Sequence, residues 1–140
     1  MVFKRDISRM ENKMTKERRL NNMVWFELPV SDLNRATNFY ETIFATKLST
    51  DDRFPTLAIF PRRSETAATG ALALIEGHKP SIDGTIIYLN CDGELDAVLK
   101  RAQEAGGQVL EEVAQLPGSM GWIAQLRDLE GNRVGLHATF

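Results

Sequence analysis

Few side chains in this 140-residue chain are equipped for chemistry: it has two histidines, His78 and His137, and one cysteine, Cys91. An imidazole moves protons near neutral pH when a carboxylate orients it, and Glu27 with His137 is the pair that offers this. His78 sits in the run Gly77-His78-Lys79-Pro80, which reads as a connecting loop without chemistry. Cys91 stands beside Asp92 at a strand-to-helix turn, a setting that lowers a thiol pKa, but no second cysteine or adjacent histidine supports a nucleophile. The glycine-rich phosphate-binding motifs do not occur. Gly118-Ser119-Met120-Gly121 lacks the residues of a nucleophile elbow, so the stretch from Leu116 to Trp122 reads as a mobile lid.

Composition narrows what must position these groups. With 43% hydrophobic and 26% charged residues the chain has the usage of an ordinary globular domain. A single cysteine excludes an internal disulfide and favours a reducing compartment. No apolar run approaches the roughly 20 residues of a membrane span, and the first thirty residues lack the apolar stretch of a secretory signal. The expectation is a cytoplasmic protein with no membrane partner. The net charge of −2 is uneven: residues 1–20 carry seven bases and three acids, or +4, which leaves −6 for the rest. Residues 1–22 have little apolar periodicity and read as a loosely ordered basic extension. The acidic body argues against nucleic acid as a partner.

From Met23 onward the elements are legible. Met23 to Val30 is strand-like. Ser31-Asp32 offers capping oxygens to a helix whose Leu33, Ala36, Phe39, Tyr40, Ile43 and Phe44 form one apolar stripe. Tyr40 is expected to pack that helix on its sheet. Short strands follow near Lys47 to Thr50, Phe54 to Phe60 and Ala71 to Ile75. The order then repeats: a strand from Thr85 to Asn90, a helix after Asp92 bearing Leu95, Val98, Leu99 and Ala102, a Gly106-Gly107 stop, and strands at Gln108 to Leu110, Trp122 to Arg127 and Arg133 to Ala138. Asp32 matches Asp92 at an offset of 60, and Gly70 matches Gly131 at 61. Two βαβββ units, residues 23–80 and 81–140, therefore predict one α+β domain over 23–140. Its mixed, mainly antiparallel strands, about eight in number, curve around a cavity, with one helix covering the outer face of each half.

Two segments carry a family resemblance. WFELPVSDLNRATNFYETIFAT resembles the opening of the vicinal oxygen chelate superfamily, which includes glyoxalase I, bleomycin-resistance proteins and extradiol dioxygenases. AQLRDLEGNRVGLHA is similar to its closing hairpin, with Leu129 where a proline usually stands. The resemblance implies a divalent metal held by His, Gln or Glu at positions occupied here by Trp25, Leu74, Thr85 and Gly135. None of these four side chains is a metal ligand, so no metal and no cofactor is expected.

Strand alternation then names the cavity wall. Trp25 brings Glu27 to the same face, and Leu74, Thr85, Ile87 and Gly135 line the cavity together with Trp122, with Glu27 and His137 as its polar members. Such a wall suits a small, largely apolar organic molecule bound without metal. The competing expectation is a lyase or isomerase that uses Glu27 and His137 in acid-base chemistry, or a metal at non-standard ligands. The resemblance also implies a homodimer, with Met23 to Val30 and the helix Leu33 to Phe44 as the contact.

Overall fold

Local chemistry starts the first long helix as expected: the Asp32 carboxylate accepts the Arg35 backbone N–H at 3.0 Å and satisfies one donor of the opening turn. A computed structural model describes residues 13–140, with side-chain detail from residue 16. Its helices are α1 (Lys13–Arg18), α2 (Leu33–Phe44) and α3 (Leu95–Glu104). Its strands are β1 (Trp25–Pro29), β2 (Ser49–Asp51), β3 (Phe54–Ile59), β4 (Thr69–Ala73), β5 (Tyr88–Asn90), β6 (Gln108–Gln115), β7 (Trp122–Arg127) and β8 (Arg133–Ala138). The short helix α1 falls within the extension expected to be loosely ordered; residues 1–12 of that extension lie outside the described residues.

The eight strands form two four-stranded sheets, one per repeat, ordered β1-β4-β3-β2 and β5-β8-β7-β6. In each sheet the first strand runs parallel to the fourth and the remaining pairs are antiparallel. The α+β duplication read from the sequence is therefore the architecture of the chain. Strands β7 and β8 fall where the apolar pattern places them. By contrast, β4 lies two residues earlier than expected, and β5 is three residues long instead of six.

One core joins the repeats. Leu28, Val30, Leu72 and Ala58 of the first sheet meet Ala36, Phe39, Tyr40 and Ile43 of α2; Cys91, Leu126, Val134 and Leu136 of the second meet Val98, Leu99 and Ala102 of α3. The principal element-to-element contact between repeats is α2 against α3. Both helices thus lie on one side of the sheets, and each sheet keeps one helix-free face on the other. The Pro29 carbonyl, at the end of β1, accepts from Asn132 Nδ2 beside the start of β8, while Met23 and Phe26 share a cavity with Tyr88, Leu89 and Asn90. The edge strands β1 and β5 therefore pass each other in opposite directions, which sets the two helix-free faces side by side.

A buried polar clasp fastens this arrangement. Asp128, 4% exposed, accepts the Tyr40 hydroxyl at 2.7 Å and the backbone N–H groups of Glu130, Gly131 and Asn132 at 2.9 Å each. Tyr40 packs the helix as expected and also reaches across to the second repeat. Glu130 caps α2 from that repeat: its Oε1 accepts from the Ser31 and Asp32 backbone N–H at 2.9 and 2.7 Å, and its Oε2 pairs with Arg35.

Candidate functional site

Two equivalent hydrogen bonds align the repeats more firmly than the sequence does. The Val30 backbone N–H donates to the Ala73 carbonyl, and the Cys91 N–H donates to the His137 carbonyl. The true offset is 61 residues between β1 and β5, and 64 between β4 and β8. Trp25 then corresponds to Ile86, Glu27 to Tyr88, Ala71 to Gly135 and Ala73 to His137.

This alignment corrects several expectations. Thr85 lies before β5 and is exposed, and Leu74 lies just past β4. Ile87 packs against the core with Leu89, because the strand's phase is one residue away from that assumed by matching Asp32 to Asp92. Trp122 pairs with Ala138 on the helix side of its sheet, and lines a separate cavity of about 510 Å³ with Val113, Leu95 and Phe140. Trp25, Glu27, Gly135 and His137 do share the helix-free side. No hydrogen bond or ion pair joins Glu27 to His137 among the described residues. Instead His137 Nε2 contacts the Met120 carbonyl at 2.7 Å. A carbonyl only accepts, so Nε2 donates, and in the neutral ring Nδ1 keeps the free lone pair.

That same bond ties the expected lid to β8. Leu116 N–H closes the loop onto the Gly121 carbonyl at 2.7 Å, and a Cβ at Gly121 would come within 2.1 Å of the Ala138 carbonyl, which leaves room for glycine alone. His78, exposed, sits in a tight turn closed by its N–H on the Ile75 carbonyl, as a loop residue should. Cys91 reverses its expectation. It is fully buried, and burial, with Glu94 nearby, pushes its thiol up to about 12. Such a thiol is inert.

The metal fits neither alignment. In the structural register Trp25 corresponds to Ile86 and Ala71 to Gly135, and none of these four side chains is a metal ligand. Among the described residues no group of three or more His, Cys, Asp or Glu side chains converges on a point.

What occupies the helix-free faces differs between the halves. The first sheet presents Trp25, Leu57, Ile59, Ala71 and Ala73, with Glu27 as its carboxylate. The second presents Tyr88, Ile123, Gln125, Arg127, Arg133 and His137. There the Tyr88 ring lies over Gly135, where a Cβ would come within 2.4 Å of it. Gln125 Nε2 donates to the Tyr88 hydroxyl oxygen at 2.7 Å, and Arg133 Nη1 donates to Gln125 Oε1 at 2.9 Å. Sequence reasoning missed Tyr88 and Gln125. The signal that points to them is Gly135, a gap in the middle of a sheet that a neighbouring aromatic ring fills.

With this geometry in view, comparison places the fold. Residues 22–136 match the Glyoxalase/Bleomycin resistance protein/Dioxygenase superfamily model, and the chain belongs to that superfamily. A glyoxalase/bleomycin resistance protein from Albidiferax ferrireducens T118 superposes with a TM-score of 0.70 at 16% identity, over 84% of this chain and 98% of that one. A superfamily member from Sphaerobacter thermophilus gives 0.63 at 22%, over 84% and 97%. A glyoxalase I mutant from Zea mays gives 0.58 at 23%, over 83% of this chain but 46% of its own length. These similarities carry the fold. No curated protein matches the chain in sequence. Among the described residues no helix is long and apolar enough to cross a membrane.

Proposed function

We propose that this chain holds a small, largely apolar organic molecule between the adjoining helix-free faces of its two sheets, without a metal ion. The observation that carries this reading is the identity of the four residues at the matched positions of the helix-free faces: Trp25, Ala71, Ile86 and Gly135 are apolar where a divalent ion would need oxygen, nitrogen or thiolate donors. Trp25 and Ile86, at 38% and 37% exposure, are large apolar side chains left open on that surface, as a ligand platform requires.

A second copy of the chain closes the face. The apolar stripe of α2 is consumed internally by Ala36, Phe39, Tyr40 and Ile43, so the partner contact falls on the sheet side, where Trp25, Ile86 and Tyr88 remain exposed. A two-fold pairing buries the same patch on both copies.

The test uses Nile red, a neutral dye whose emission shifts on entering an apolar site, together with elemental analysis of protein purified without chelators. Saturable binding that survives chelator treatment and weakens in Trp25→Ala is the expected result. A stoichiometric transition metal whose removal abolishes dye binding would overturn the reading. Sedimentation should show a species of twice the 15.7 kDa chain mass at micromolar concentration, and a monomer alone would refute the pairing.

A further inference from the structure

We infer that the bound molecule is an organic acid, its carboxylate held by Arg133 and the Tyr88 hydroxyl on the second sheet and its apolar body lying on the first. The inference rests on the ligand-binding reading above and adds the ligand's charge.

The hydrogen-bond chain on the second sheet has only one possible direction. A guanidinium cannot accept, so the Gln125 atom facing Arg133 is the carbonyl oxygen, and the amide nitrogen must face Tyr88. That nitrogen donates to the phenol oxygen, so the Tyr88 O–H proton is left to donate outward. Arg133 uses Nη1 on Gln125 and Nε on the Ile82 carbonyl at 3.2 Å, both neutral acceptors, and Nη2 has no partner among the described residues. The buried side-chain nitrogen without a partner among the described residues is Arg101 Nη2, so Arg133 Nη2 reaches the surface.

Charge points the same way. Arg127 stands directly across from Arg133 in the β7–β8 register, and like charges so placed repel. Neither forms an ion pair among the described residues. Asp83, next to the Ile82 carbonyl that Arg133 contacts, and Glu111, opposite Gln125, form no ion pair among the described residues. Two arginines and a free phenol proton thus share one sheet face, and among the described residues no carboxylate pairs with either guanidinium. Carboxylates are the natural complement of a guanidinium and a hydroxyl donor together. Glu27 of β1 projects from the other half, so a bound acid is oriented with its charge toward β8 and its rings or chain toward Trp25.

Calorimetry with 1-naphthoate, 1-naphthamide and 1-naphthylmethylamine tests this on the whole chain. Naphthoate should bind about tenfold or more tightly than the isosteric amide, the ratio a charge-assisted hydrogen bond supplies, and the amine should bind most weakly. Arg133→Gln should erase the preference while leaving the amide's affinity in place. Gln125→Glu keeps the side chain's size and gives Arg133 an internal counter-ion, so it should also erase the preference with the melting temperature held or raised. Equal affinity for naphthoate and naphthamide, with Nile red still bound, overturns the acid and spares the apolar site. Tighter binding of the amine overturns it as well, and binding of neither Nile red nor any naphthyl probe overturns both.

Discussion

The two repeats share a topology, a strand register and a helix position, yet they divide the labour. In the first, the turn between β3 and β4 closes on itself through Ser64, Thr66 and Ala67. In the second, the turn between β7 and β8 reaches out and grips the first repeat at Tyr40, Pro29, Ser31, Asp32 and Arg35. The helix-free faces diverge in the same sense: mostly apolar in the first repeat, with a side-chain hydrogen-bond chain from Arg133 through Gln125 to Tyr88 in the second. A duplicated unit needs its core positions twice, because each sheet must bury a face against a helix. It needs a clasp and a recognition surface once. Departures from the internal symmetry therefore mark what the molecule does beyond folding.

The largest test of this contrast is Asp128→Ala. Loss of the carboxylate leaves the Glu130 and Asn132 backbone N–H groups and the Tyr40 hydroxyl without their acceptor, and takes one of two acceptors from the Gly131 N–H and from Asn132 Nδ2. Destabilisation of about 3 kcal/mol or more is expected in denaturant titration, since each orphaned buried donor costs about 1 kcal/mol or more. Ser64→Ala, in the corresponding turn of the first repeat, should stay within about 0.5 kcal/mol. Equal losses at the two turns would show that the clasp is not special.

High pH should separate the repeats next. The structural counterpart of Cys91 is Val30. Burial raises the Cys91 thiol from 9.0 to about 12, so the folded state binds its proton more tightly than the unfolded chain does. Stability from this group is complete below pH 9 and declines as pH rises toward 12. Tyr40, raised well above 10.0 by burial and by the Asp128 carboxylate, adds a loss in the same direction from pH 10 upward. Cys91→Val, which copies the first repeat into the second, should flatten the decline between pH 9 and 10 and leave the steeper part above it. An unchanged pH profile would show that the thiol ionises freely.

Two glycines sharpen the comparison further. A Cβ at Gly70 would sit 2.3 Å from the Phe26 carbonyl, a backbone atom that cannot step aside, while the nearest atoms to one at Gly135 belong to the Tyr88 ring, a side chain 45% exposed. Gly70→Ala should cost about 1–3 kcal/mol by overpacking. Gly135→Ala should cost less than about 1 kcal/mol, because the ring can swing out, but in doing so it gives up Gln125. Thermal melts measure the first effect, and loss of the naphthoate preference reports the second.

How much of this was legible beforehand follows from what each signal measures. The α2 stripe and the β7 and β8 boundaries were readable because apolar period reports burial directly, and those elements are buried on their core side. The phase of β5 was not. Aligning Asp32 with Asp92 assumes that both cap a helix, whereas Asp92 spends its carboxylate on the Thr139 backbone and hydroxyl, and the turn before α3 is longer. That insertion moved Thr85 and Ile87 off the face assigned to them and brought Tyr88 onto it. For the Tyr88, Gln125 and Arg133 network the sequence offers only the gap at Gly135, since three polar residues on three strands become neighbours only through register.

The smallest expected effect compares Glu27 with His137, the pair first singled out for proton transfer. Glu27 is exposed and has no hydrogen bond or ion pair among the described residues, so Glu27→Gln removes a charge without orphaning a partner. Its stability change should lie within about 0.5 kcal/mol, the usual range for such a surface site. His137 is half-buried and holds the Met120 carbonyl, so His137→Ala releases the loop between β6 and β7 and should cost about 1 kcal/mol, the net worth of one hydrogen bond. Faster amide exchange confined to Leu116 through Trp122 is the accompanying sign of that release. If instead the two variants prove equally costly, or if their effects fail to add in the double variant, Glu27 and His137 communicate across the two sheets. Sites that share no partner add within about 0.5 kcal/mol, so non-additivity beyond that would restore them as a coupled acid-base pair.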